Sequence, residues 1–384
     1  MRLQKERPSD VIHSLPTFFL SGKTERLSTL NSTEEELWLE LERLRNEDFA
    51  SRFISGVVRN KAHRTMAAKL INKYINHAVR FYKDAQRVDS ASSPLLYYYS
   101  FLNLAKAYIA CNNPERVYPV RIRNSTFDQK FLQHGLFAGD KVKGSYQLRD
   151  EVITAKSVGI FATFFELLSG GIYGAGYKEK ITNLLGNCQD ISSEYCKIHK
   201  RHNHFYSFDL ALLADSKSKN AWLRLNLDKR ALSSEIRIGP SEVLKRNSGL
   251  TGFKLVKSNR PTYHTLELQN MFTYTSTADL LQQGRQKILP LGVTFSSHHE
   301  RTDYALPIGR GPVGAFETPS ELLSIYMLMY YFGSVTRYQP AAFEKIFIDE
   351  DGWLVKSFLR TCPKKFIRLF VPLLFQRHYQ MEEF

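Results

Sequence analysis

The chain has little cysteine: four in 384 residues, Cys111, Cys188, Cys196 and Cys362, at irregular spacing. That pattern rules out a disulfide framework and points to a reducing compartment, the cytoplasm. It also lacks an apolar run of membrane-spanning length: Leu95 to Leu104 is broken by Ser100 and Asn103 and followed by Lys106. Residues Met1 to Pro8 hold no apolar core of the kind a signal peptide needs, so a soluble protein without a membrane partner is expected. Low-complexity segments are missing. So are a G-x-x-x-x-G-K-[ST] phosphate loop, a G-x-S-x-G elbow, an H-E-x-x-H helix and paired carboxylates at nuclease spacing. ATP hydrolysis of the phosphate-loop type is thereby excluded, and no cofactor is expected.

What the chain does have is aromatic bulk, with 13% aromatic and 43% hydrophobic residues, enough for a substantial core. Two tyrosine-rich segments stand out, Ser93 to Tyr108 and Glu321 to Pro340. Each begins like a helix: Ser93 is placed to cap with Pro94 at the first helical position, and Thr318-Pro319-Ser320-Glu321 reads as a capping box. Both are apolar on nearly every face, so both belong inside the protein.

Around them the periodicity predicts an α+β fold, mainly helical, with helices at both termini packed together and a β-containing middle. Residues 1–30 read as irregular. Helices are expected near 32–46, 61–87, 94–110 and 151–168, and after residue 318 through 353–361 and 363–378. Alternation predicts strands at 205–213, 222–227, 235–238, 253–256, 263–268 and 304–308. The expected organisation is a helical region 1–180, a β-rich region 181–317, and a C-terminal helical region 318–384 that packs on the first.

Charge is the other strong signal. Lys plus Arg number 53 and Asp plus Glu 38, a net +15, which attracts polyanions. From Arg59 to Arg87 there are eight basic residues against one acid, Asp84. At 100° per residue Met66, Leu70, Ile71, Tyr74, Ile75, Ala78, Phe81, Tyr82 and Ala85 share one side. Lys69, Lys73, Arg80, Lys83 and Arg87 share the other. Like charges at such spacing repel, and phosphates along a nucleic-acid backbone would offset them. A solvated face of an amphipathic helix produces the same pattern.

The helix S-P-L-x-Y-Y-Y-S-x-x-N-L-A-K-A, the later His134-Gly135-Leu136 and the closing Y-x-x-G-S-V-x-R-Y-x-P together resemble the YaaC-like family of bacterial proteins. That resemblance carries a distant likeness of the N-terminal helices to HEPN domains, which include ribonucleases and binding modules of phage-defence operons. HEPN ribonucleases use R-x₄₋₆-H. Here Arg59-x₃-His63 is one residue short, and Arg7-x₅-His13 has the spacing but lies in the stretch read as irregular.

Other constellations are weaker or more local. Cys188, Cys196, His199, His202 and His204 supply the donor types of a zinc site, but no C-x₂₋₄-C pair exists and Lys200 and Arg201 interrupt the histidines, so no metal is expected. Gly309-Arg310-Gly311-Pro312-Val313-Gly314 matches G-x-G-x-x-G, yet Pro312 removes a backbone donor and the spacing lacks its βαβ unit; it reads as a turn. More promising are polar groups on segments that must be buried: Asn103, Lys106, His134, Arg337 and Tyr338. If they converge they form a polar pocket in an aromatic core, with Glu166 or Glu321 as the expected anionic partner.

Three functions fit this sequence. The favoured one is a nucleic-acid-associated protein, a component of a phage-defence system, holding RNA or DNA on the basic helix; nuclease chemistry would be its enzymatic form. A non-catalytic adaptor meeting a protein partner or a second copy of itself is the alternative. The third is a small-molecule or nucleotide-processing enzyme with its pocket around Lys106 and Arg337.

Overall fold

The computed structural model describes residues 4–14, 24–27, 32–117, 132–138, 147–169, 177–200, 205–232, 238–288, 291, 293–298, 301–307, 320–376 and 378–381. In chain order its main elements begin with β1 (Val11–Ser14), β2 (Thr24–Leu27), α1 (Thr33–Glu42), α2 (Glu47–Phe53), α3 (Lys61–Ala85) and α4 (Ser93–Asn112). Then follow β3 (Leu136–Ala138), β4 (Val152–Ala155), α5 (Ile160–Ser169), β5 (Lys178–Lys180), α6 (Ile181–Leu185) and α7 (Ser192–His199). The middle holds β6 (Phe205–Asp215), β7 (Asn220–Asp228), α8 (Pro240–Arg246), β8 (Phe253–Val256), β9 (Tyr263–Leu268), β10 (Phe272–Thr273), α9 (Thr277–Ile288), β11 (Thr294–His298) and β12 (Arg301–Pro307). The chain closes with α10 (Glu321–Tyr338), α11 (Pro340–Ile348), α12 (Gly352–Phe375) and β13 (His378–Met381). The fold is α+β and mainly helical, with helices at both ends.

The chain divides into two units. One comprises Met1–Thr33, Gly186–Glu321 and Pro372–Phe384; the other comprises Glu34–Leu185 and Leu322–Val371. The first unit is built on an eight-stranded antiparallel sheet whose main path runs β11-β12-β6-β7-β9-β8, with β1 added to β6 and β10 to β7. A parallel pair, β2 with β13, stands apart. Leu210, Leu212, Leu223, Leu225 and Leu266 form the centre of its apolar core. The buried Glu267 on β9 accepts from Arg224 at 2.6 Å, and Glu6 lies 3.1 Å from the same guanidinium, so one arginine bridges two carboxylates.

In the second unit, the small residues Ala67, Ala68 and Ala78 on α3 are buried, and Ser100 of α4 donates to the Ala78 carbonyl at 2.8 Å. Alanines let two helix backbones approach closely. The two tyrosine-rich helices touch in the same unit: Tyr98 of α4 meets Tyr326 and Tyr330 of α10 edge-on, with ring centroids 5.9 and 5.2 Å apart. Gly333 permits this, since a Cβ there would lie 3.2 Å from the Leu95 Cα. Phe101 stacks on Phe366 of α12 at 3.8 Å.

Several expectations give way. Residues 1–30 contain β1 and β2, because the sheet unit supplies pairing partners that no local pattern announces. The helix expected over 151–168 is a strand, β4, followed by a helix that starts only at Ile160. Val152 to Ala155 alternates half-buried with buried and pairs with both β3 and β5, and Gly159, at φ +132°, separates strand from helix. The two helices expected at 353–361 and 363–378 are one, α12, running through Pro363. Burial of Phe358, Cys362, Phe366 and Phe370 along one side outweighs the hydrogen bond that proline removes. Helix α4 begins at Ser93 itself, with Pro94 in its first turn and the preceding turn held by the Asp89 carboxylate on the Ala91 and Ser92 N–H groups. The middle contains β-strands as expected, with α8 and α9 among them. Of the strand expected at 235–238, residues 235–237 lie outside the described residues and Ile238 is not in a strand; the strand expected at 304–308 begins at Arg301.

Candidate functional site

The segment Gln133 to Gly135 is tied down by backbone. The carbonyls of Gln133 and His134 accept from the N–H groups of Ile160 and Phe161, at 2.8 and 3.1 Å, which are free donors at the start of α5. Gly135 has φ +77°, and a Cβ on the facing Gly159 would fall 2.6 Å from the Gly135 Cα, so this crossing needs glycine. The result is a fixed His134 ring set against the seam of α4 and α10.

His134 Nδ1 lies 2.5 Å from the Tyr98 hydroxyl, and its ring lies 5.5 Å from Tyr98 and 6.0 Å from Tyr330. Tyr330 in turn donates to the Leu136 carbonyl at 2.9 Å. His134 is exposed, and both tyrosine rings lie tilted against its imidazole. Partial loss of water holds the His134 pKa below its ordinary 6.5, and the charges of Lys106 and then Arg337 lower it further. Both cations therefore share the field of this ring.

Lys106 is half-buried on α4, its ammonium 5.8 Å over the Tyr74 ring of α3. Burial lowers its pKa, with a second push from Lys73. Arg337, near the end of α10, is exposed, donates to the Tyr99 hydroxyl at 3.1 Å and lies 5.1 Å over the Tyr338 ring. Tyr338 is 70% exposed. Among the described residues neither Lys106 nor Arg337 has a carboxylate partner. Asn103 does not join them through its amide, which donates to the Tyr99 carbonyl one turn back at 2.7 Å.

The anionic partners expected for these cations are elsewhere. Glu321 takes the Gln189 N–H at 2.6 Å and the Thr294 hydroxyl. Glu166 is exposed on α5 and makes no ion pair among the described residues. Each was proposed because it sits on an apolar helix, but the direction of a side chain around the helix decides its partner.

On α3 the side chains of Lys69, Lys73, Arg80, Lys83 and Arg87 are all exposed. Lys83 lies 3.6 Å from Glu42 and Arg87 4.0 Å from Asp84, whereas Lys69, Lys73 and Arg80 have no acidic partner among the described residues. The apolar side is rotated slightly from the expected one: Ala67, Ala68 and Val79 are buried and Met66 is 36% exposed, because the small residues make the closest contact with α4.

The remaining sequence candidates separate. Arg7 gives its guanidinium to the Leu268 and Gln269 carbonyls, at 3.3 and 3.2 Å, and His13 is a residue of strand β1. That arginine is therefore occupied in holding the sheet. Arg59 and His63 line one cavity of about 320 Å³ with Val57, Asn60, Met66 and Glu115, a grouping that the short spacing of the pair did not suggest. Among the described residues no His, Cys, Asp or Glu cluster is arranged to hold a metal; Cys188 is buried, Cys196 and His199 lie on α7, and His202 and His204 fall outside the described residues. Gly309 to Gly314 also falls outside them. No helix among the described residues is long and apolar enough to cross a membrane.

The sequence matches the YaaC-like Protein family over residues 42–374. The chain belongs to the YaaC-like family. The matched span of this YaaC-like protein holds Lys106, His134, Arg337 and the whole basic face of α3, and leaves out Arg7 and His13. No curated protein and no solved structure matches the chain. Sequence reasoning missed Tyr98, hidden among equivalent tyrosines, and placed Lys73 on the basic face without foreseeing its effect on Lys106.

Proposed function

We propose that this YaaC-like protein binds nucleic acid, RNA or DNA, on the exposed basic face of α3. The observation that supports this is the row Lys69, Lys73 and Arg80, three exposed cations on one helix without an acidic partner among the described residues. Side chains that serve only solubility are commonly interleaved with acids, as Lys83 and Arg87 are here. A backbone of regularly spaced phosphates would relieve the mutual repulsion of the row and release counterions as it binds. A cytoplasmic setting goes with this reading, since none of the four cysteines forms a disulfide. A role in phage defence would rest on the distant likeness of the helices to HEPN domains alone.

The test is fluorescence anisotropy with a 20-nucleotide RNA and a matching DNA duplex over a salt series. Affinity should fall steeply with salt, and the triple variant Lys69→Glu, Lys73→Glu, Arg80→Glu should flatten the slope by roughly 2 to 3 units, since each neutralised phosphate contributes about 0.7 to 0.9. Circular dichroism checks that the variant is folded. Unchanged affinity and slope would leave α3 with a merely solvated face.

A further inference from the structure

We propose that Lys106, His134 and Arg337 hold the phosphate of a nucleotide or of a single-stranded nucleic-acid chain, and that Tyr338 is the platform on which its base stacks. This goes beyond binding along α3 and does not require it.

The first support is a charge that the protein leaves uncompensated. Lys106 is half-buried over the Tyr74 ring, and Arg337 is held by Tyr99, the residue next to the Tyr98 that meets His134, yet neither Lys106 nor Arg337 has a carboxylate partner among the described residues. Both acids that sequence pattern offered as partners are directed elsewhere. A half-buried ammonium with no carboxylate at hand is unfavourable, and an anion entering from outside is the simplest way to offset it.

The second support is donor geometry. The Tyr98 hydroxyl is the hydrogen-bond partner of His134 Nδ1. With that hydroxyl as donor, the neutral ring carries its proton on Nε2, which has no partner among the described residues. The Arg337 guanidinium is steadied by Tyr99 through one nitrogen, leaving its other N–H groups for a planar, two-pronged contact that suits phosphate oxygens. The backbone at Gln133 and His134 is held by the N–H groups of Ile160 and Phe161 and the ring by Tyr98, so little reorganisation is needed on binding.

The third support separates a nucleotide from bare phosphate. Tyr338 follows Arg337 directly and is 70% exposed, an unusual exposure for a large ring. It lies two turns beyond Tyr330, close enough to influence the Tyr330 hydroxyl, and Tyr330 packs against His134. A base stacked there would keep its phosphate beside Arg337. Such stacking needs an unpaired base, so duplex is the wrong ligand for this site.

Calorimetric titration of the full chain with 5′-AMP, inorganic phosphate, adenosine, a five-nucleotide RNA and a five-base-pair duplex tests the proposal. AMP or the short RNA should bind more tightly than phosphate or adenosine; binding by RNA alone would identify a chain as the source, and binding by both a nucleotide. Arg337→Gln and Lys106→Met should each weaken that ligand about tenfold or more, as loss of a charge-assisted contact does. Tyr338→Ala should weaken it about tenfold while leaving inorganic phosphate unchanged, the signature of a lost stacking surface. Arg337 and Tyr338 are exposed, so their variants report on binding even if Lys106→Met folds poorly. The proposal is overturned if none of the phosphate ligands binds, if Arg337→Gln leaves affinity for AMP unchanged, or if, with the α3 face removed by Lys69→Glu and Arg80→Glu, the duplex still binds as tightly as the single strand. Lys69→Glu with Arg80→Glu should leave AMP binding intact. Loss of long-RNA binding in that variant with AMP retained, or the reverse in Arg337→Gln, tells failure of the α3 reading from failure of this one.

Discussion

Arg224 in the sheet unit has only 15% of its side chain exposed, and it meets two carboxylates, Glu267 at 2.6 Å and Glu6 at 3.1 Å. Lys106 in the helical unit is also partly withdrawn from water, and it lies over a tyrosine face with no carboxylate partner among the described residues. Arg224 thus has its charge met within the sheet unit and has nothing left to offer a ligand, whereas the charge of Lys106 stays open. Removing a partner should therefore be costly at Arg224 and nearly free at Lys106, while effects on ligands should follow the opposite order.

The largest effect is expected from Glu267→Ala. It leaves Arg224 buried with Glu6 alone, and the loss should be about 3 kcal/mol, the lower end of what breaking a buried pair costs. Urea unfolding measures it; a loss under about 1 kcal/mol would mean that Glu6 suffices and that the pair is not the anchor of β7 and β9.

Glu34 offers a comparison inside the helical unit. It is 7% exposed, accepts from the Tyr82 hydroxyl and lies 3.6 Å from Lys364. Burial, with Glu34 second, holds the Tyr82 pKa well above its usual value. Glu34→Ala strands that hydroxyl and should cost about 2 kcal/mol in the same measurement. A neutral result would show that water replaces the carboxylate.

Lys106→Met keeps the aliphatic stem and removes an unpartnered cation. Stability should change by less than about 0.5 kcal/mol, or rise. A fall of about 2 kcal/mol would instead reveal a structural partner and break the contrast with Arg224.

The smallest effect concerns pH. A histidine whose folded pKa lies below 6.5 favours the neutral ring in the folded state. Its contribution to stability is complete above the unfolded value and is lost as pH falls through the folded one. The groups acting on it are Tyr98, Tyr330, Lys106 and Arg337. Acidification from pH 7 towards 5 should destabilise the wild type more than His134→Gln, and equal slopes would remove His134 as the titrating group. Over the same window a dinucleotide, whose phosphodiester keeps one charge, should bind more tightly as the ring protonates.

Burial was the most legible property. Helix α4 shows its all-round apolarity in the order of its residues, and the contacts of Tyr98 and Phe101 fulfil it. The ridge of α3 was readable for the same reason, since 100° per residue needs no tertiary information, although its apolar side turned towards Ala67, Ala68 and Val79 once α4 was in place. Long alternating strands such as β6 and β7 were legible too. Elements that depend on distant partners were not: β1 pairs with β6, β2 with β13, and β4 lies between β3 and β5. In each case four residues or fewer carry too little pattern to be read alone, and β4 fell in a stretch read as helix.

For the site the division is similar. Residue order alone determined that Lys106 lies on a buried helix, that Arg337 ends another, and that Gly135 beside His134 permits close approach. Only tertiary structure decided that the imidazole meets Tyr98, that Lys73 reaches Lys106 from a neighbouring helix, and that Glu321 serves Gln189 and Thr294 instead. The reason is physical. Burial follows from a local count of apolar residues, whereas the partner of a charge depends on which side chains the packed helices bring within a few ångströms, and that is settled by shape.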